Sequence, residues 1–83
     1  MTEYILKTTK ENADEIYLGI KTFDYRYSRD NLKLGDRIQY QVIKDRKRIR
    51  HPISNVRYKV NYIDRDVPQI ANGVCVIGLV KVV

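Results

Sequence analysis

At 83 residues, 43% of them hydrophobic and 31% charged, the chain has the size and balance of one small folded domain and no room for a second catalytic lobe. No apolar run approaches the roughly 20 residues that cross a bilayer, Met1 to Glu11 lacks the basic-then-apolar order of a secretory leader, and a lone Cys75 between Val74 and Val76 reads as a buried strand thiol, so a reducing cytoplasm is the expected setting. The net charge of +6 is concentrated: Lys44, Arg46, Lys47, Arg48, Arg50, Arg57 and Lys59 face one acid, Asp45, between 44 and 59, and the remaining nine cations are matched by nine acids.

Taken in order, Tyr4 to Lys7 reads as a first strand. Thr8 followed by Glu11 has the spacing of a capping box and predicts a helix from about Thr9 to Leu18, with Ala13, Ile16 and Tyr17 as its buried stripe. Gly19 ends it as a left-handed cap. Thr22 to Tyr27 predicts a second strand, in which alternation puts Asp24 and Arg26 on one face about 7 Å apart, Thr22 beside them, and Phe23 and Tyr25 on the other. Lys21 falls on the aromatic parity by counting and joins the polar side only if the chain still turns after Gly19.

SRDNLKLGDR reads as a loop, with Asp30 and Asn31 as turn residues, Leu32 and Leu34 as anchors, and Gly35 and Asp36 closing it. Arg37 to Ile43 predicts a third strand with Ile38, Tyr40 and Val42 inward and Arg37, Gln39 and Gln41 in water. KDRKRIRHP links it to a fourth strand from about Ile53 to Ile63, with Pro52 at its entrance. There Val56, Tyr58, Val60 and Tyr62 share the apolar parity, and Arg57, Lys59 and Asn61 the other. DRDVPQIANG is a loop by its Pro, Asn and Gly. Val74 to Val82, nearly continuous in Val, Ile and Leu, reads as the last and most buried strand. One helix and about five strands predict an α+β domain, residues 1–83, built as a curled, barrel-like sheet with the helix plugging one side.

Lys21, Asp24 and Arg26, with Thr22 and Tyr27 nearby, form the first candidate site. The cations suit a phosphate or a base carbonyl, and the carboxylate suits a base amino group. The plainer alternative is a structural Asp24–Arg26 ion pair with Lys21 in solvent. The seven cations from Lys44 to Lys59 suit backbone phosphates or a solvated face. Tyr40, Tyr58 and Tyr62 fall on apolar parities and read as core, which leaves Tyr27, beside the polar loop, as the stacking candidate. His51 is a candidate general base by residue type, although its place between Arg50 and Pro52 reads first as a loop residue. One Cys and one His make no zinc cage, so neither metal nor cofactor is expected.

GIKTFDYR followed by SRDNLKLGDRI resembles the ASCH domain of the PUA-like superfold, in particular the small bacterial and phage domains of unknown function of family 3850. That pattern runs glycine, any, lysine, threonine, phenylalanine, glutamate, any, arginine, a polar loop and a glycine-aspartate pair. Gly19, Lys21, Thr22, Phe23, Arg26, Gly35 and Asp36 match it, and the resemblance continues through Val60, Tyr62 and Ile63 into GVCVIGL at Gly73 to Leu79. Asp24 stands where the family has glutamate, and Tyr4 where members often have histidine.

The resemblance implies a PUA-like barrel with one N-terminal helix and a cleft around Lys21 for RNA or a nucleotide-like ligand. Some ASCH proteins are enzymes, among them an amidohydrolase acting on N4-acetylcytidine and a ribonuclease. The amidohydrolase has a lysine at the position of Lys21, a threonine at the position of Asp24, and a glutamate from a further segment; this chain keeps only the lysine. The expected function is a non-enzymatic RNA- or nucleotide-binding module without a membrane role. Its alternatives are a hydrolase on a modified nucleoside or RNA, using Lys21 and Asp24, and a phage counter-defence protein that binds a host nuclease or traps a nucleotide signal in the host cytoplasm.

Overall fold

The computed structural model describes residues 2–27, 31–65 and 73–82. In chain order these form β1 (Glu3–Thr8), α1 (Lys10–Tyr17), β2 (Phe23–Tyr27), β3 (Arg37–Lys44), β4 (Lys47–Ile49), a 3-10 helix (Pro52–Asn55), β5 (Arg57–Asp64) and β6 (Val74–Lys81). The turn expected at Asp30 and most of the loop expected from Asp64 to Gly73 lie outside the described residues. The helix expected from the N-terminal pattern is there, but its cap is Thr9, whose Oγ1 accepts from the Asn12 amide at 3.2 Å. Thr8 ends β1 instead, and its hydroxyl accepts from the Asn12 side chain at 2.7 Å.

One mixed sheet runs β1-β3-β5-β6-β2, with β4 beside β3. The β1–β3 pair is parallel and the others are antiparallel. A closed barrel was expected; the sheet is open, because β1 and β2 are its two edges and make no ladder with each other. Helix α1 carries the chain from one edge to the other beneath the inner face. Its Ala13 and Ile16 join Ile38, Tyr40, Val42, Val60 and Ile77 in one core, each isoleucine and valine contributing on the order of 2 kcal/mol by leaving water. Tyr17 is not part of that stripe: it is exposed and stands edge-on to His51, ring centroids 6.0 Å apart. Among the described residues no helix is long and apolar enough to cross a membrane.

Other expectations are corrected by local geometry. Leu32 is buried but Leu34 is exposed, because the turn is held by polar contacts. Gly35 takes φ +90°, and the Asp36 carboxylate accepts from the Lys33 and Thr2 amides at 2.9 and 3.2 Å. The expected fourth strand starts late. Pro52–Asn55 winds into a 3-10 helix that drops Ile53 into the core, and pairing with β3 resumes only at Arg57. Tyr62 is exposed because β5 bulges after Val60: Val60 faces Leu79, yet Tyr62 faces Gly78, so Asn61 is the extra residue and parity reverses. Ile63 then points inward in its place.

The link from Lys44 is a hairpin. Lys44 pairs with Lys47 across Asp45 and Arg46, whose φ angles of 51° and 65° describe the left-handed turn that matches strand twist. Arginine is ill suited to that region. Arg46→Gly is therefore expected to raise stability by about 1 kcal/mol, read as a higher urea midpoint at unchanged m-value.

Candidate functional site

The polar cluster lies along the seam between the two sheet edges. Asp24 and Arg26 leave β2 on the inward parity, as alternation required. Arg26 donates from Nε and Nη2 to Asp24 Oδ2 at 3.1 and 2.9 Å, and from both terminal nitrogens to the Lys7 carbonyl of β1 at 3.2 Å. One guanidinium thus spans the gap that no backbone ladder closes. Tyr40 of β3 donates its hydroxyl to the same Asp24 oxygen at 2.8 Å, and burial, followed by the Asp24 charge, pushes that phenol's pKa upward and keeps it a donor. Oδ1 accepts from the Tyr25 amide at 2.9 Å and from Asn12 Nδ2 at 3.4 Å.

Asp24 is consequently 4% exposed and surrounded by donors. The expectation that it faces solvent beside Lys21 and Arg26 is not met, because folding spends the carboxylate on the seam. Asn12, Tyr40 and the Lys7 carbonyl belong to this cluster, and sequence reasoning missed them. Only Asn12 left a trace, as the polar residue three after the Thr9 cap.

Lys21 reaches the cluster through an intermediary. Its Nζ donates to Asn12 Oδ1, while Asn12 Nδ2 turns toward Asp24. The same ammonium lies 5.4 and 5.8 Å from the ring centroids of Phe23 and Tyr25, within cation–π range. Thr22 is exposed, and its carbonyl accepts from the Leu79 amide at 2.8 Å, extending the β2–β6 ladder. Lys21 and Thr22 border a hollow of about 240 Å³ with Tyr17 and Tyr58. Arg26 borders a different one of about 220 Å³ with Tyr25, Tyr27 and Val74. Asp24 lines neither.

The basic tract divides in two. Lys44, Arg46, Lys47, Arg48 and Arg50 are exposed around the β3–β4 hairpin, and Arg48 and Arg50 line a hollow of about 640 Å³ with His51, Ser54 and Asn55. Arg57 and Lys59 face Gln39 and Arg37, five and seven positions along β3 from Lys44, or about 17 and 23 Å at the usual strand rise. Arg57 also pairs with Glu3 at 3.4 Å.

His51 is a structural residue. Its Nδ1 accepts from the Ile53 amide at 3.1 Å, capping the 3-10 helix, so the proton sits on Nε2 and is donated to Asp14 Oδ1 at 2.7 Å. With both ring nitrogens engaged, the imidazole has no lone pair for a substrate. Lys10, 2.8 Å away, and then His51 hold the Asp14 carboxyl below its ordinary value. The unfolded chain then binds the extra proton, so this contribution to stability is complete above the ordinary value of 3.8 and is lost as pH falls through the lower folded value. Asp14→Asn is expected to flatten the part of the acid-unfolding profile below about pH 4, measured by circular dichroism across a pH series.

No family model matches the chain, and no curated protein matches it. Among solved structures it is similar to the crystal structure of the hypothetical protein PH0355, with a TM-score of 0.62 at 15% identity over 99% of this chain and 100% of that one. That likeness concerns the fold.

Proposed function

We propose that this chain is a non-enzymatic, PUA-like module of the ASCH type that binds RNA or a nucleotide-like ligand, and that the β3–β4 hairpin grips its phosphates. The observation that carries this reading is the crowding of Lys44, Arg46, Lys47, Arg48 and Arg50 at one exposed hairpin, with no ion pair to any of them among the described residues. A two-residue turn brings these like charges together, and a polyanion relieves their repulsion while releasing its counterions. Arg48 and Arg50 flank the largest of the hollows described above, and their planar forks match phosphate oxygens. The non-enzymatic part of the reading is supported by the seam, whose carboxylate is already taken up, and by the two engaged nitrogens of His51. Asp24 and Arg26 serve the ligand indirectly, by holding the sheet in shape; Lys21 keeps donors in excess of its one bond to Asn12.

The test is a salt titration of binding to a short fluorescent RNA. Each phosphate neutralised contributes about −0.7 to the slope of log affinity against log salt, so five engaged cations give about −3.5. Arg48→Glu with Arg50→Glu is expected to weaken binding and make that slope shallower by roughly 1.4. An affinity indifferent to salt, or to this charge reversal, refutes the reading.

A further inference from the structure

The outer face of the sheet, opposite the core, carries four exposed aromatic rings, of which Phe23 and Tyr25 pack edge-on with centroids 5.8 Å apart. The ladder sets Tyr62, Gly78 and Phe23 side by side across β5, β6 and β2, with Asp64, Val76 and Tyr25 in the next row and Val74 beside Tyr27 in the third. The alternate residues of β6, Cys75, Ile77 and Leu79, are buried, so these rows face away from the core. Phe23, Tyr25, Tyr27 and Tyr62 are 39, 50, 57 and 54% exposed. The strand between them carries only glycine and valine in these rows, which leaves a shallow floor flanked by rings. Tyr62 and Phe23 stand about 10 Å apart across Gly78 at ordinary strand spacing.

We infer that this face stacks the unpaired bases of a single-stranded nucleic acid, with Lys21 as its local phosphate or base-carbonyl contact. The inference rests on the nucleic-acid reading above and adds to it a second site on another face. Charge selects this occupant. Lys21 lies over the Phe23 and Tyr25 rings, and Lys59, paired with Val80, stands one turn of the ladder from Tyr62. Asp64 is the acid of these rows, and the Tyr62 hydroxyl donates to it at 3.3 Å. A second copy of the chain docked on this face would cover Lys21 and Lys59 and offer them only Asp64 from these rows, which already accepts from Tyr62. A polyanion with flat, exposed bases meets rings and cation together.

The consequence is strand selectivity. The hairpin reads charge, which single strands and duplexes both offer; the rings read base faces, which a duplex conceals. The experiment compares four probes at one salt concentration: a mixed-sequence single-stranded RNA, its DNA counterpart, the RNA duplex, and a base-free strand of the same length and charge. The protein is expected to prefer both base-bearing single strands over the duplex and the base-free strand, by roughly 5- to 150-fold for each base stacked. Tyr25→Ala with Tyr62→Ala is expected to lower that preference by roughly 5- to 150-fold for each base no longer stacked, without changing the salt slope, whereas Tyr25→Trp keeps it. Both positions are exposed, and a thermal melt confirms that the variants fold. Equal salt-dependent binding to all four probes overturns this inference alone. No salt-dependent binding to any probe overturns the phosphate reading as well. A variant that changes only the molar mass seen by light scattering also overturns it, by assigning the face to contact between copies.

Discussion

Asp24→Ala is expected to cost about 3–5 kcal/mol of folding stability, because it leaves the buried charge of Arg26 without its counter-ion. The Arg26 side chain is 16% exposed and spends Nε and Nη2 on the carboxylate that the substitution removes. Tyr40 loses its acceptor in the same step, inside a core that offers it no water. Against the 5–15 kcal/mol that holds a typical domain together, such a loss approaches the whole stability of a chain this small, and it lowers the melting temperature by roughly 12 °C or more. A paired replacement separates charge from packing. Asp24→Leu with Arg26→Met removes both ions at once and is expected to recover the part of the loss that comes from the unpaired charge, since burying an ion pair gains little over burying hydrocarbon, while the Tyr40 hydroxyl still lacks its acceptor. Urea unfolding of the single and paired variants measures both. A cost below about 1 kcal/mol for Asp24→Ala, the range of an exposed ion pair, would mean that the seam does not depend on this bond.

The second large effect is expected at Gly78. A Cβ there would stand 2.9 Å from the Tyr62 Cβ and 2.6 Å from Asn61 Oδ1, at the point where the β5 bulge crosses β6. The Asn61 amide can rotate away; the Tyr62 Cβ is fixed to the backbone. Gly78→Val is therefore expected to cost about 3 kcal/mol, the upper range for forcing extra carbons into a filled space. Asn61→Gly in the same chain should return only part of that loss, because it removes the movable contact and leaves the fixed one. Full recovery would show that the amide, and not the crossing of Tyr62, is what Gly78 makes room for. The chemical-denaturation midpoints of the two variants and the parent chain decide the point.

Elements set by a sustained repeating pattern were legible in the sequence. The 3.6-residue period and Gly19 marked α1, although its cap is Thr9 and not the Thr8 expected, and strict alternation marked the inward faces of β2 and β3, because both patterns repeat within a few residues. The shared face of Asp24 and Arg26 and the burial of Cys75 followed from the same counting. The errors have two physical origins. The inward parity expected of Tyr62 failed because a single bulge reverses every side chain after it, and what permits the bulge is a glycine on a different strand. The strand expected from Ile53 failed because a buried isoleucine fits a 3-10 turn as well as a strand, and alternation over so short a piece does not distinguish them.

The amino-acid sequence by itself determined the α+β class, the positions of the helix and most strands, and the confinement of the surplus charge to residues 44 to 59, since each depends on local period or on composition. The tertiary structure alone decided that the sheet stays open, that Arg26 reaches across to Lys7, that Asn12 and Tyr40 enclose Asp24, and that Tyr62 of β5 shares the outer face with the rings of β2. Each of these is a meeting of residues far apart in the chain. Strand order and register set such meetings, and a pattern that repeats every two or four residues carries no record of them.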